Sequence, residues 1–349
     1  MTTTKQDKIK DGKGGAAAAA DVPSLETVAR LARGAVARLR DRAQPSPLVE
    51  SEFLSQRFGC RVLLKCEQFL PTGSFKFRGA YNKLSTMSDS EKALGIVTAS
   101  TGNHGLALAT VASEAGIPIT VHATQNASTR KIEAIRSLGA KVELHDADPL
   151  TVELLARRLA SESGAVYVSP YNDVDVIAGQ GGCAAEILDD GRKVDAVVVS
   201  VGGGGLLSGI GAVLRKEAPD VEVIAAWPEN AQSLLHSMRA GRAVDFDETP
   251  TLADGTAGGV EPGAITINLA HTLDPTPVLV SELEIARSMR DLAMGDGLIV
   301  EGSAALALAA LEKCAPRLAG KTAVVVLCGK NIALEKFNAI LAAEDGGGS

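Results

Sequence analysis

Helix and strand signals alternate along this chain of 349 residues from about residue 21 onward. Short apolar runs that indicate buried strands are separated by segments with apolar residues at helical spacing. This order is typical of βαβ units, which place parallel strands in one sheet and helices on its faces. No long linker separates the two halves of the chain. The sequence therefore predicts an α/β protein with two intertwined lobes.

The predicted elements are short and closely spaced. Strands are predicted at residues 61–66, up to 99, and at 117–123, 141–145, 165–169, 195–201, 221–227 and 322–327. Helices are predicted at residues 25–40, 106–115, 129–138, 150–163, 178–188, 206–218, 282–293 and 303–315. Residues 1–20 are polar, rich in Lys and Gly, and lack the apolar stretch of a secretory signal. They are predicted to be a disordered tail, and residues 344–349 a flexible one.

Composition excludes several classes of protein. The formal net charge is −7 without a basic block, which argues against nucleic acid as a partner. No apolar run reaches about 18 residues, so no membrane-spanning helix is expected. The five cysteines are scattered, odd in number and without a CxxC pair, which excludes the usual zinc patterns and fits a reducing compartment. We expect a cytoplasmic protein.

Four consecutive glycines, Gly202, Gly203, Gly204 and Gly205, follow a buried-strand run and precede a helical segment. Such a turn exposes backbone N–H groups at a helix N-terminus to an anion, and no Cβ blocks the approach. The dinucleotide fingerprint G-x-G-x-x-G fails here because its last position is not glycine, and the P-loop pattern is absent from the sequence. The run therefore favours a small phosphorylated cofactor, with a tight turn that binds nothing as the alternative.

A second unusual turn is Ser100-Thr101-Gly102-Asn103-His104-Gly105, also between a predicted strand and a predicted helix. It offers hydroxyl, amide and imidazole groups close together. A single His such as His104 is more often structural than functional. Its position at the carboxyl end of a strand, where ligands collect in open α/β sheets, makes this turn a candidate binding loop.

A lysine stands in a third unusual segment. Lys76 follows a Gly-Ser turn, lies between Phe75 and Phe77, and has no acidic neighbour nearby in sequence. An isolated lysine is usually a solvated surface group. A partly desolvated lysine has a lowered pKa and becomes a nucleophile for carbonyl carbons. Together with a phosphate-binding turn on an α/β scaffold, such a lysine suggests pyridoxal 5′-phosphate bound as a Schiff base.

Four segments, in the same order, resemble motifs of the fold type II pyridoxal-phosphate enzymes, in particular the serine/threonine dehydratase and serine racemase branch. Ser74-Phe75-Lys76-Phe77-Arg78-Gly79-Ala80 resembles the cofactor-lysine motif. Residues 100–105 resemble the loop that contacts cofactor and substrate, and residues 202–205 resemble the phosphate loop. Cys328-Gly329-Lys330-Asn331 resembles the segment whose Ser or Cys faces the pyridine nitrogen. The resemblance covers residues 22–341.

This resemblance implies a fold like that of the tryptophan synthase β subunit, with two open twisted sheets flanked by helices. It implies a large cofactor-binding domain formed by residues 21–94 and 173–343, and a small domain formed by residues 95–172. Members of the family are typically homodimers or homotetramers. The partner of such a protein is a small-molecule amino-acid substrate.

The resemblance also implies roles for individual residues. Lys76 would carry the cofactor and move the α-proton, and a neutral Cys328 would leave the pyridine nitrogen largely unprotonated, which favours β-elimination. The residues implied to bind the cofactor are Phe75, Lys76, Asn103, Gly202, Gly203, Gly204, Gly205, Glu301 and Cys328. Those implied to bind the substrate are Ser100, Thr101, Gly102, His104 and Asp254, with Lys76, Thr101 and His104 as the catalytic set.

The implied activity is dehydration of a β-hydroxy amino acid to a 2-oxo acid and ammonia. The same motifs could serve a β-replacement enzyme or a serine racemase, or a homologue that binds the cofactor without catalysis. A nicotinamide dehydrogenase is a further alternative that the failed fingerprint argues against.

Three positions depart from the family pattern. The cation ligands of metal-activated members correspond to Trp227 and Ser233, neither a good ligand for a hard cation, so no metal is expected. Racemases carry Ser at the position of Thr101, whose stiff side chain predicts little racemisation. A family Asn corresponds to Tyr171, with Asn172 beside it, and the sequence leaves open which of them faces the site.

These departures, with Gly258-Gly259-Val260-Glu261-Pro262-Gly263, resemble the hydroxyectoine-utilisation and phenylserine dehydratase subgroup. That resemblance implies a substrate with a bulkier or more polar β-substituent than methyl.

Overall fold

The computed structural model describes residues 22–100 and 102–343. The predicted tails at residues 1–20 and 344–349, and the predicted role of Thr101, lie outside these described residues.

The described residues form fourteen α-helices. Several of these helices begin at a residue whose side chain caps the free backbone N–H groups of the first turn. Ser24, for example, accepts a hydrogen bond from the backbone N–H of Thr27 at the start of the first helix. The helices are α1 (Leu25–Leu39), α2 (Glu52–Phe58), α3 (Lys76–Thr86), α4 (Asp89–Leu94), α5 (Asn103–Ala115), α6 (Thr129–Ser137), α7 (Pro149–Ser163), α8 (Val174–Asp189), α9 (Gly205–Glu217), α10 (Ser233–Ala240), α11 (Ile265–Leu273), α12 (Glu282–Gly295), α13 (Gly302–Cys314) and α14 (Leu334–Ala342).

Ten strands are present in the same part of the chain, and they form two sheets. They are β1 (Leu48–Ser51), β2 (Arg61–Cys66), β3 (Ile96–Ala99), β4 (Ile119–Thr124), β5 (Lys141–His145), β6 (Val166–Tyr167), β7 (Ala196–Ser200), β8 (Glu222–Pro228), β9 (Thr276–Val280) and β10 (Thr322–Leu327). The larger sheet has the order β1-β2-β10-β7-β8-β9, and the smaller sheet has the order β5-β4-β3-β6. The predicted α/β class with two helix-flanked sheets is confirmed.

Both sheets are parallel except at one edge, where β1 pairs antiparallel with β2. Every residue of β7 and of β10 is buried, which requires cover on both faces of the larger sheet. Helix α9 packs against β7 and β8, and α13 packs against β7, β8, β9 and β10. The strands of the smaller sheet all lie within residues 96–167. The predicted domain boundaries stay a prediction.

Several elements differ from the sequence-based expectation. Helix α5 begins at Asn103, so the residues predicted to form a loop before Leu106 belong to its first turn. Strand β6 has two residues where five were predicted, and just after it the carbonyl of Val168 accepts a hydrogen bond from the hydroxyl of Thr98. The sequence did not predict six of the helices or the edge strands β1 and β9; the helices are α2, α3, α4, α10, α11 and α14. The two edge strands are half exposed and lack a continuous apolar run.

None of the helices in residues 22–100 and 102–343 combines the length and the apolar character that crossing a membrane demands.

A buried cluster of charges joins β2, α3 and α8. Arg78 is 1% exposed and makes two-pronged contacts to both Glu67 and Glu186, with a closest distance of 2.6 Å between nitrogen and oxygen in each pair. Lys65 Nζ lies 2.6 Å from Glu186 Oε2, and the hydroxyl of Ser46 donates to Glu67. Burial works against the charge on Arg78, but the two carboxylates outweigh it and raise the pKa of Arg78 well above its usual range. The cluster therefore holds the first turn of α3 against the larger sheet.

We expect Arg78→Ala to lower the free energy of unfolding by about 3–5 kcal/mol, because it leaves two buried carboxylates without their main partner. Urea unfolding followed by circular dichroism measures this. Arg61→Ala is the matched control: Arg61 pairs with Glu50 at 2.6 Å, but both side chains are exposed, so the free energy of unfolding should barely change. Equal losses for the two variants would contradict the role given to the buried cluster.

Candidate active site

A cavity of about 350 Å³ lies at the carboxyl ends of strands from both sheets. Residues that follow β3, β6, β7 and β10 line it, which is where ligands bind in open α/β sheets. All described residues that the sequence predicted for the site line this cavity, and they are Phe75, Lys76, Ser100, Gly102, Asn103, His104, Gly202, Gly203, Gly204, Gly205, Asp254, Glu301 and Cys328. The fold thus brings the predicted residues together, and their individual roles stay predictions.

The turn that carries Lys76 is joined to the segment that follows β10. The backbone N–H of Phe75 donates to the carbonyl of Cys328 at 2.9 Å, and the N–H of Lys330 donates to the carbonyl of Gly73 at 3.0 Å. Ser74 and Gly329 form an isolated β-bridge between these two bonds. Two predicted motifs that are far apart in sequence are therefore fixed side by side by backbone hydrogen bonds.

The amine of Lys76 is buried at the cavity wall. Its Nζ donates a hydrogen bond to the carbonyl of Pro170 at 2.8 Å and lies 5.1 Å from the centre of the Phe75 ring. Burial lowers the pKa of Lys76 to about 8, against the opposing effect of the nearby Glu153 and Glu301 carboxylates. At pH 7 this pKa leaves roughly a tenth of the amine uncharged and nucleophilic, far more than in a solvated lysine.

The glycine run forms the turn between β7 and α9 and leaves no room for side chains. A Cβ on Gly203 would lie 2.4 Å from ring carbons of Tyr171. Gly204 has a φ of +89° and precedes the first turn of α9, whose N–H groups have no partner inside the helix. The buried hydroxyl of Ser200, at the end of β7, also lacks a hydrogen-bond partner and lines the cavity. These groups fit a bound phosphate.

Asn103, Glu301 and Asn331 form a hydrogen-bonded network beside the lysine-bearing turn. Asn103 Nδ2 donates to Glu301 Oε1 at 2.8 Å, and Asn331 Nδ2 donates to Asn103 Oδ1 at 2.7 Å. The backbone N–H of Asn331 donates to Glu301 Oε2 at 3.1 Å. Burial raises the pKa of Glu301. The network fixes the amide of Asn103 at the cavity wall, next to where the predicted cofactor ring would lie.

Two further predicted residues are buried and uncharged. Burial lowers the pKa of His104 to about 3, and its Nε2 lies 3.2 Å from the carbonyl of Val168. The ring is neutral and donates to that carbonyl, so Nδ1, which has no partner, carries a lone pair. His104 thus offers no charge to a substrate carboxylate. Burial raises the pKa of the Cys328 thiol well above its usual range, so this group also stays neutral.

Glu153 is a cavity residue that sequence reasoning missed. It lies in the middle of α7, where nothing in the amphipathic pattern distinguishes it from a solvated residue. The hydroxyl of Tyr171 donates to Glu153 Oε2 at 3.1 Å, and burial raises the pKa of Glu153 to about 7. The question left open at residues 171–172 is answered: Tyr171 lines the cavity, while Asn172 bonds Glu261 and the backbone of Ile265.

The donor set as a whole fits pyridoxal phosphate. A buried, partly uncharged lysine can attack an aldehyde, and a glycine turn at a helix N-terminus can hold a phosphate. The neutral thiol of Cys328 and the fixed amide of Asn103 are polar groups suited to the edge of a heteroaromatic ring.

Comparison with known proteins gives the same result. Residues 39–329 match the family described as "Pyridoxal-phosphate dependent enzyme". The L-threonine ammonia-lyase of Thermotoga maritima is 39% identical over 304 residues, which are 87% of this chain and 75% of that protein. Threonine deaminase isoform 2 of Solanum lycopersicum has a similar structure, with a TM-score of 0.83, 29% identity, and coverage of 90% of this chain and 93% of that one. Serine racemase from Dictyostelium discoideum has a TM-score of 0.81 at 29% identity, covering 89% of this chain and 100% of that one.

We expect Lys76→Ala to lower turnover by roughly 10²–10⁴-fold, because it removes the buried amine that is predicted to transfer a proton. The visible absorbance of lysine-bound cofactor should disappear as well. Steady-state kinetics and absorbance spectra of the purified variant measure both effects. The control is Lys193→Ala, whose side chain is 82% exposed and should have no effect on either. Full activity in Lys76→Ala would refute the assignment of this lysine.

The raised pKa of Glu153 predicts a pH-dependent stability. Its unfolded carboxyl ionises near pH 4.5 and its folded carboxyl near 7, so the stabilisation present below the unfolded pKa is lost as pH rises through about 7. Glu153→Gln keeps an acceptor for Tyr171 and should be more stable than the wild type above about pH 8, on the order of 2–3 kcal/mol. At about pH 4 the two proteins should have similar stability.

Urea unfolding at both pH values measures this difference. Glu162→Gln, on the exposed face of the same helix, is the matched control and should behave like the wild type. A Glu153→Gln effect that does not change with pH would show that burial of the charged form is not its cause.

Proposed function

The chain belongs to the family of pyridoxal-phosphate dependent enzymes, and we propose that it is a dehydratase that converts a β-hydroxy amino acid of the serine/threonine type to a 2-oxo acid and ammonia. The observation that carries this proposal is the buried amine of Lys76, which faces the same cavity as the helix N-terminus at residues 202–205. Relatives that act as L-threonine ammonia-lyase or threonine deaminase support the same reaction.

The residues of this chain can supply cofactor binding and proton transfer, the two tasks that this reaction requires of the protein. When bound, pyridoxal phosphate supplies a carbonyl group that joins the substrate amine and withdraws electrons from the α-carbon. The N–H groups at the start of α9 would hold its phosphate, and Asn103 would hold the edge of its ring. The uncharged form of Lys76 takes the α-proton of the substrate. Loss of the β-hydroxyl and hydrolysis of the C–N bond then give the 2-oxo acid and ammonia.

Polar residues in the cavity wall support a substrate whose β-substituent is more polar than methyl. His122, Lys131 and Glu153 line the cavity together with the predicted residues. A methyl group needs none of these three side chains, whereas a substituent with hydrogen-bonding groups could contact them. The resemblance to the hydroxyectoine-utilisation and phenylserine dehydratase subgroup implies a bulkier or more polar β-substituent, and these side chains favour the more polar kind.

The surroundings of Trp227 and Ser233 support activity without an activating cation at that position. Trp227 is 1% exposed and packs in an apolar cluster. The hydroxyl of Ser233 donates to Glu248 Oε1 at 2.5 Å, and Glu248 Oε2 accepts from the backbone N–H of Gly258. The carboxylate of Glu248 thus links α10 to the loop at Gly258, which lines the cavity. These hydrogen bonds lie in the region in which the family resemblance would place a metal ion.

We further propose that the enzyme acts in the cytoplasm and forms a homodimer or homotetramer. The five cysteines are free and buried, which suits a reducing compartment. Light scattering of the purified enzyme measures the number of chains.

A substrate panel tests the proposed function. With pyridoxal phosphate present, we expect ammonia and 2-oxo acid from L-threonine or L-serine. Release should be faster from 3-hydroxyaspartate, whose β-carboxylate is polar, or from phenylserine, whose phenyl group is bulkier than methyl. Release should persist in EDTA, and chiral chromatography should detect little racemised substrate. Release that stops in EDTA would contradict the cation-independent site, and a clear preference for threonine would contradict the polar-substituent proposal. No release from any substrate would favour β-replacement or a non-catalytic role.

A further inference from the structure

Three potential metal ligands lie on one face of the smaller sheet. In the register of β4 and β5, His122 is opposite Glu143, and Thr124 is opposite His145. Side chains two residues apart on a strand point to the same face, so His122, Glu143 and His145 share that face near the carboxyl end of the strands. Glu143 and His145 have no role in the proposed reaction, and His122 enters it only as a residue of the cavity wall.

The donor atoms of this trio lie close enough to share one ion. His122 Nδ1 is 2.8 Å from His145 Nε2 and 3.7 Å from Glu143 Oε2. One donor atom from each residue lies within 4.8 Å of the other two. In a tetrahedral zinc site with bonds of about 2.0–2.1 Å, two nitrogen ligands are about 3.3 Å apart, so the imidazoles need to separate by only about 0.5 Å.

The chemistry of the three side chains suits a metal ion. Two imidazole nitrogens that face each other can share only one proton, whereas an ion between them uses both lone pairs. Glu143 directs Oε1 to Lys141 at 2.5 Å, which leaves Oε2 on the side of the imidazoles.

We propose that His122, Glu143 and His145 bind one divalent transition-metal ion of the zinc class, with a fourth coordination position left for water or a ligand. Two imidazoles and one carboxylate are a donor set that such ions prefer, and one that Mg²⁺ does not. The site joins β5, the edge strand, to β4. His122 also lines the active-site cavity, so the ion would lie in its wall. The proposal does not depend on the reaction assigned to the enzyme.

Zinc binding to the cofactor-loaded enzyme tests this proposal. The protein is treated with a chelator, freed of it, and titrated with ZnCl₂ in a calorimeter. We expect one zinc ion per chain, and at least about tenfold weaker binding for His145→Gln and for Glu143→Gln. His271→Gln, on the exposed part of α11, is the matched control and should bind like the wild type. Equal affinity in all four proteins would overturn the proposal, as would no binding to the wild type.

A second measurement keeps the test independent of folding. Zinc should raise the melting temperature of the wild type and of His271→Gln, but not that of His145→Gln, provided that circular dichroism shows the variant to be folded. Cobalt substituted for zinc should give the visible absorbance of a four-coordinate ion in the wild type and in His271→Gln, but not in His145→Gln. A rise in melting temperature that survives His145→Gln would place the ion elsewhere.

Discussion

Pairing of the buried Arg78 guanidinium with two carboxylates is the interaction on which the active site depends. A charge inside a protein is tolerated only where its partners are fixed, so Glu67 and Glu186 determine where Arg78 can lie. Arg78 stands two residues after Lys76, at the start of α3. The ion cluster therefore fixes the orientation of the helix whose first residue carries the reactive amine. Backbone hydrogen bonds to the segment after β10 fix the turn before it.

Burial also sets the protonation of the groups around the cavity. It lowers the pKa of Lys76 to about 8 and that of His104 to about 3, and raises that of Glu153 to about 7. In each case water is excluded and the charged form loses hydration. The same effect thus raises the uncharged fraction of an amine that can act as nucleophile and base, and gives a carboxyl group that can hold a proton near neutral pH. An ammonia-lyase needs such groups because it moves protons without strong acids or bases in solution.

Much of the fold and of the site could be predicted because the relevant signals are local. The strand at β10, the glycine run and the turn at Lys76 each have a pattern that depends on neighbouring residues only. The missed features depend on distant partners. Strand β9 is half exposed and pairs only with β8, and α3 begins without a side-chain cap. Glu153 resembles any surface residue of an amphipathic helix until the fold shows which side of α7 faces the cavity.

The sequence by itself determined the α/β class, the family, the cofactor and the residues that gather around it, because four motifs in the same order resemble those of one enzyme family. Only the tertiary structure decided the protonation of those residues and which other side chains lie beside them. It brought Tyr171 and not Asn172 to the cavity, and set His122 against His145 across two strands. These outcomes depend on burial and on strand register, which arise from contacts between residues far apart in the chain.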